Sequence, residues 1–298
     1  MAEAGATIGS PGLGAKLAEL HPRRFFLETW ATIDAQAEAA RRARREAGLG
    51  YDYRPLIALV GGAVLLTLME YWGDSRALNV LAALVDAPGE RSVRGLAATI
   101  AFSPWAELWH RGYWAISRVV GYFVLPAVLV RLSGERVRDQ GLATKGFLEH
   151  AWIYALCYLV VLVCVIAVSF DPAFQSYYPF YDLSRRSLLD LAVWEVLYAA
   201  QFFALEFFFR GYWLRACQQV MGSSAIFAMV VPYVMIHFGK PMAETLAAAI
   251  AGVVLGTLAM KTRSIWSGVL IHVSVAVTMD VAALLQTDRF PTSFFPTP

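Results

Sequence analysis

The stretch Phe202-Phe203-Ala204-Leu205-Glu206-Phe207-Phe208-Phe209-Arg210-Gly211 sets a carboxylate and a guanidinium inside a run of aromatic and aliphatic side chains. The run is apolar enough to enter lipid. An ionisable side chain at the centre of a bilayer costs at least ~2.5–3.5 kcal/mol on insertion scales, so such groups are normally kept for a function and have partners nearby. Two further apolar stretches end or centre on an imidazole: Pro232-Tyr233-Val234-Met235-Ile236-His237 and Ser267-Gly268-Val269-Leu270-Ile271-His272-Val273. One carboxylate, one guanidinium and two imidazoles form a workable set for hydrolysis, which needs a base for water and donors for a developing oxyanion.

Composition agrees with a membrane setting. The 298 residues are 58% hydrophobic and 16% charged, and mean hydropathy is +0.52, whereas soluble domains carry about 25% charged residues. The expected fold is all-α, a polytopic transmembrane helical bundle. The net charge of +2 is too small to argue for nucleic acid, and the chain has no phosphate-binding glycine loop or RNA-binding motif. The expected partners are the lipid bilayer and a membrane-associated peptide or protein substrate. Cys157, Cys164 and Cys217 lack zinc-site spacing and read as small packing residues. Residues 1–15 have no basic head followed by an apolar core, so insertion is expected to start from an internal segment.

Crossing an apolar core of about 30 Å takes about 20 residues. Seven stretches qualify, near 55–72, 112–132, 151–170, 188–213, 223–241, 244–260 and 264–286. Leu78–Val85 and Gly95–Phe102 read as interfacial or re-entrant, and one of them is the candidate for an eighth span. Lys16, Arg23, Arg24, Arg41, Arg42, Arg44, Arg45 and Arg54 precede the first span. Their excess predicts a cytoplasmic N-terminus. With seven spans the C-terminus lies outside, and an eighth span would spoil the alternation of the later basic loops.

The chain divides into three parts: a cytoplasmic polar, amphipathic arm (1–54), motif-free front helices (55–187) and a motif-dense core with its tail (188–298). In the arm, Phe25, Phe26, Trp30 and Ile33 precede Arg41-Arg42-Ala43-Arg44-Arg45. That pattern suits an anionic membrane surface; a solvated arm that only fixes orientation is the other reading.

Glu206 and Arg210 share a helix face at a spacing of four. They form either a general base with its neutralising partner or a helix–helix ion-pair clamp. His237 and His272, on separate later spans, favour the first. Two His and one Glu also match a zinc-ligand inventory, with Glu206, His237 and His272 as the set. The close HExxH spacing is absent, so a metal-free and a zinc mechanism both stand at this point, and no cofactor is predicted. Three catalytic residues must also meet at one depth. Glu206 lies far along its span, and the levels agree only if its helix is long or tilted. Gly252 and Gly256 allow close backbone approach. Lys240 and Glu244 read as a loop cation and a helix-start carboxylate.

Together the back-half motifs resemble the CPBP family of intramembrane proteases, the type II CAAX prenyl endopeptidases and bacteriocin-processing enzymes. That family carries Glu-Glu-x-x-x-Arg, Phe-x-x-x-His and His-x-x-x-Asn on successive helices. The corresponding residues are Leu205-Glu206-Phe-Phe-Phe-Arg210, Tyr233-Val-Met-Ile-His237 and His272-Val-Ser-Val-Ala276. The resemblance implies a glutamate-dependent endopeptidase without a required metal, in a bacterial cytoplasmic membrane. Glu206, Arg210, His237 and His272 would be catalytic, with Tyr233 and Asp280 in support. Two departures stand out: Leu205 replaces the first Glu and Ala276 the Asn. Asp280, in a Met-Asp pair after the last His, is a candidate local replacement. The departures keep a catalytically silent binding or maturation factor in view. A proton-coupled transporter is a third reading, disfavoured because no half of the chain repeats.

Overall fold

The computed structural model describes residues 21–86, 95–144 and 150–296. Lys16, which entered the orientation argument, lies outside them, as does the stretch 1–15. Among the described residues every regular element is helical. The expected all-α membrane bundle is therefore the observed fold.

Six helices are long and apolar enough to cross a membrane: α2 (Arg54–Tyr71), α3 (Ala106–Leu132), α4 (Ala151–Val168), α5 (Leu188–Met221), α7 (Met242–Thr262) and α8 (Trp266–Gln286). The arm supplies α1 (Thr29–Glu46). The expected fifth span, 223–241, is a shorter helix, α6 (Ser224–Met235). Its 12 residues reach only about 18 Å at ~1.5 Å per residue. Pro232 sits inside its last turn and removes a backbone donor, and the chain then turns through Ile236–Lys240. His237 is thus on a turn, not within a helix. The two short apolar stretches fold as Ala77–Val85 and Leu96–Ala101, each well under spanning length.

α5 is the axis of the bundle. It starts where Ser187 accepts a hydrogen bond from the Asp190 backbone N–H at 3.0 Å, while the buried Asp190 carboxylate takes the Arg186 guanidinium at 2.8 Å. It runs for 34 residues and opens into π-helical turns over Phe207–Trp213 before closing again to Met221. Such π segments often mark functional positions in helices. Phe207, Phe208 and Phe209 are wholly buried there, in the main core with Leu205, Tyr233 and Val269.

The arm is docked on the far end of α5. Phe25, Ile33 and Ala37 are buried. Trp30 Nε1 donates to Thr257 Oγ1 at 3.0 Å, and Asp34 accepts from the Ser223 backbone N–H at 2.7 Å, tying the α5–α6 turn. Its arginines are largely occupied within the protein. Arg41 donates to the Val220 carbonyl, Arg42 pairs with Glu46, Arg45 with Glu38, and Arg44 with the carbonyls of Gly50 and Tyr51. The arm is thus packed against the bundle along its Phe25, Ile33 and Ala37 face, with Arg42 and Arg45 on its exposed side.

α6 and α7 form a tight hairpin. A Cβ on Gly252 would meet Val230 at 3.0 Å and Tyr233 at 3.1 Å, and one on Gly256 would meet Ile226 and Met229 at 3.1 Å. The two glycines let the helices approach to the distance that small-residue pairs allow. The hairpin thereby presses Tyr233 and the His237 turn toward α5 and α8.

Candidate active site

Glu206 ends the regular α-helical part of α5, and Arg210 lies in the first π turns after it. Their side chains are fully buried, with Arg210 Nη1 3.1 Å from Glu206 Oε1. α8 brings the third member. His272 Nδ1 stands 2.7 Å from the same Oε1, with 15% of its side chain exposed. In the tautomer with the proton on Nδ1, facing the carboxylate, Nε2 is left as an acceptor. Tyr233, from α6, lies with its hydroxyl 2.8 Å from that Nε2 and so donates to it. The result is a chain Glu206–His272–Tyr233 across three helices.

The close approaches of Arg210 and His272 to Glu206 satisfy distance but are too bent to count as hydrogen bonds, so both Glu206 oxygens lack a hydrogen-bond donor in the protein. The carboxylate is held by charge on one side, and its lone pairs remain available to a reacting group. Arg210 is steadied from its other face, where its guanidinium carbon lies 4.0 Å from the centre of the Tyr233 ring, a cation–π contact. Phe202, one turn before Glu206, stacks flat on His272 with ring centres 5.4 Å apart.

Two features let α5 and α8 meet here. The long α5 resolves the depth problem: because it continues to Met221, Glu206 falls well inside it and level with the start of α8. Gly268 does the rest. A Cβ at that position would overlap the Glu206 carboxylate, with Cδ only 2.5 Å away. The start of α8 is itself fixed by the loop after α3, through Ile265 N–H to the Gly141 carbonyl at 3.0 Å and Trp266 Nε1 to the Leu142 carbonyl at 3.1 Å.

His237 sits at the edge. Its Nδ1 lies 2.8 Å from the Tyr233 carbonyl and its ring centre 4.9 Å from that of Tyr233. It joins the group through Tyr233. Glu206, His237 and His272 do not converge as metal ligands, and among the described residues no group of three or more His, Cys, Asp or Glu could hold a metal ion.

Asp280 is elsewhere. It is buried on α8 and accepts from Trp194 Nε1 at 2.7 Å and from the Phe180 N–H at 3.4 Å. Two turns beyond His272, it ties α8 to α5 and to the segment before α5. Ala276 is buried against Tyr181, Trp194 and Tyr198, and Leu205 lies in the main core. Neither offers a polar group.

Sequence reasoning gave Tyr233 only a supporting place and passed over Gly268 and Phe202. A signal was present: Gly268 is four residues before His272, and Phe202 is four before Glu206, so each shares a helix face with a suspected residue.

A helical membrane bundle with a buried carboxylate, guanidinium and imidazole meeting at one depth has the donor and acceptor inventory of an intramembrane hydrolase. Residues 187–278, from the start of α5 into α8, match the family described as Rce1-like, type II CAAX prenyl endopeptidase. No curated protein and no solved structure matches the chain.

Tyr233→Phe tests the chain of contacts. The ring and its cation–π contact stay, and the hydroxyl is lost. A hydrogen bond of ~0.5–1.5 kcal/mol corresponds to roughly a two- to twelve-fold fall in kcat/KM. Thermal stability should change little. An unchanged rate would remove Tyr233 from the reaction.

Proposed function

We propose that the chain is an intramembrane endopeptidase that hydrolyses a peptide bond of a membrane-associated protein, a leader peptide or a sorting tail. The observation that carries this reading is the Glu206–His272–Tyr233 chain, with Arg210 against it, inside a Rce1-like domain.

Glu206 takes a proton from water as the oxygen attacks the scissile carbonyl carbon. The carbonyl π pair moves onto oxygen, and the oxyanion is met by the His272 Nδ1–H, which turns from Glu206 once the carboxylate has taken the water proton, while His237 borders the site beyond Tyr233. Collapse of the tetrahedral species breaks the C–N bond, and the proton returns to the departing amine. Arg210 holds Glu206 in place, while Tyr233 and Phe202 fix the His272 ring. Donors already oriented in a water-poor site are worth more than the same donors in water. Residues 188–298 form the catalytic core in this reading. The protein sits in a bacterial cytoplasmic membrane, with the basic arm on the cytoplasmic side.

One observation favours a second reading, a catalytically silent factor built on the same fold: the Glu206 side chain is 0% exposed, and Leu205 and Ala276 bring no polar group to the site. Comparison of membrane and secreted proteomes by mass spectrometry separates the two. Cells with the wild-type chain should show a cleavage site that is lost without it and is not restored by Glu206→Gln. A phenotype rescued equally by Glu206→Gln would support the silent factor.

A further inference from the structure

A cleft of about 350 Å³ opens at the end of the bundle opposite the arm. It does not touch the Glu206 group. Leu284 in its wall is twelve residues beyond His272 on α8, about 18 Å at ~1.5 Å per residue. Three guanidiniums enter its lining from three separate elements: Arg111 near the start of α3, Arg185 just before α5 and Arg289 just after α8. Asp182 is the one acid in that lining.

The acid neighbours do not neutralise the cleft. Arg185 pairs with Asp182 at 2.8 Å. Arg111 is 3.8 Å from its nearest carboxylate, Glu107, and lies instead over the Phe180 ring at 4.4 Å. That contact holds the guanidinium plane open to a second partner. Among the described residues Arg289 forms no ion pair, and it is exposed.

The position is the rim of the apolar belt. α3, α5 and α8 all begin or end there, and Leu285 (58%) and Phe290 (39%) are exposed beside the cleft. An arginine presents a planar fork that fits a phosphate through two donors. We infer that this cleft binds the phosphate of an anionic phospholipid, with Arg111 and Arg289 as its principal donors and the acyl chains lying along the exposed apolar surface by Leu285. The volume lies within the range of small-molecule pockets, ~300–1,000 Å³.

The test uses the full-length protein in nanodiscs of phosphatidylcholine doped with phosphatidylglycerol, followed by native mass spectrometry of the lipids retained on stepwise delipidation. Phosphatidylglycerol should be retained over phosphatidylcholine, and each arginine removed should weaken retention about five-fold. Arg289→Gln is the variant least able to disturb the fold, since its side chain has no ion pair to lose. Arg111→Gln/Arg289→Gln should abolish selective retention, and Arg42→Gln on the arm should leave it intact. Equal retention of both lipids, or selective retention unchanged in the double variant, overturns the inference. Release of the bound lipid by millimolar inorganic phosphate alone would mark the cleft as a site for a free oxyanion and overturn the lipid assignment. None of these readouts depends on peptide-bond cleavage, so the lipid site and the proposed hydrolysis stand or fall separately.

Discussion

Glu206→Gln is expected to lower cleavage by roughly 10²–10⁴-fold, the range for loss of a positioned general base, and to lower thermal stability as well. The two effects have different causes. Gln keeps the size of the side chain but cannot take the proton of the attacking water. It also leaves the fully buried Arg210 guanidinium without the carboxylate 3.1 Å away. Removing one member of a buried pair typically costs about 3–5 kcal/mol, whereas replacing both by apolar groups is often neutral. The double variant Glu206→Gln/Arg210→Met should therefore recover much of the thermal stability and none of the activity. Activity assays on detergent-purified protein, with melting curves of the same preparations, read both quantities. Wild-type turnover by Glu206→Gln would end the assignment of Glu206 as the base. Stability lost in the single variant, with activity per folded molecule unchanged, would reduce the pair to a helix clamp.

The sequence made the membrane fold legible because the evidence is local. Apolar runs of spanning length declare themselves whatever they pack against, and the runs at 55–72, 151–170 and 264–286 closely match α2, α4 and α8. The shortness of α6 was less legible. Val231–Ile236 is as apolar as its neighbours, and hydropathy does not see that Pro232 ends the helical pattern and that the chain turns before Lys240. The real length of α5 was also hidden. Polar residues such as Arg215, Gln218 and Gln219 look like the end of a span, yet the helix continues because α1 docks on its last turns and Arg41 binds the Val220 carbonyl. That contact joins residues far apart in the chain, and no local pattern encodes it.

The site follows the same division. The residue types were readable because charged and imidazole groups are costly in lipid and stand out. Their connections were not. Tyr233 looks like any buried aromatic until the α6–α7 hairpin, closed by Gly252 and Gly256, sets its hydroxyl on His272. Asp280 looked like a replacement for a missing polar residue on the His272 helix. Its actual partner is Trp194, on a different helix, at 2.7 Å.

Gly268→Ala is the second large effect expected, and it comes from a residue with no chemistry of its own. The added methyl would lie within 3.1 Å of Glu206 Oε1 and closer still to Cδ, so either the carboxylate or the start of α8 must shift. α8 has little freedom, since the backbone N–H of Ile265 and the indole of Trp266 are tied to the loop after α3. The carboxylate therefore yields, and it leaves both His272 and Arg210. A misplacement of about 1 Å at a reacting group can cost roughly 10²-fold in rate, while overpacking costs about 1–3 kcal/mol in stability. Gly268→Ala should thus fold, melt a few degrees lower and lose nearly all cleavage. Gly61→Ala is the matched control: it is another helical glycine in the membrane, and its added methyl meets nothing within 4 Å. It should keep full activity and gain slightly in stability, because Ala fixes a helical backbone at lower entropic cost than Gly. Full activity in Gly268→Ala would mean that Glu206 need not stand where α8 holds it, and the reaction centre built on the Glu206–His272 contact would then be wrong.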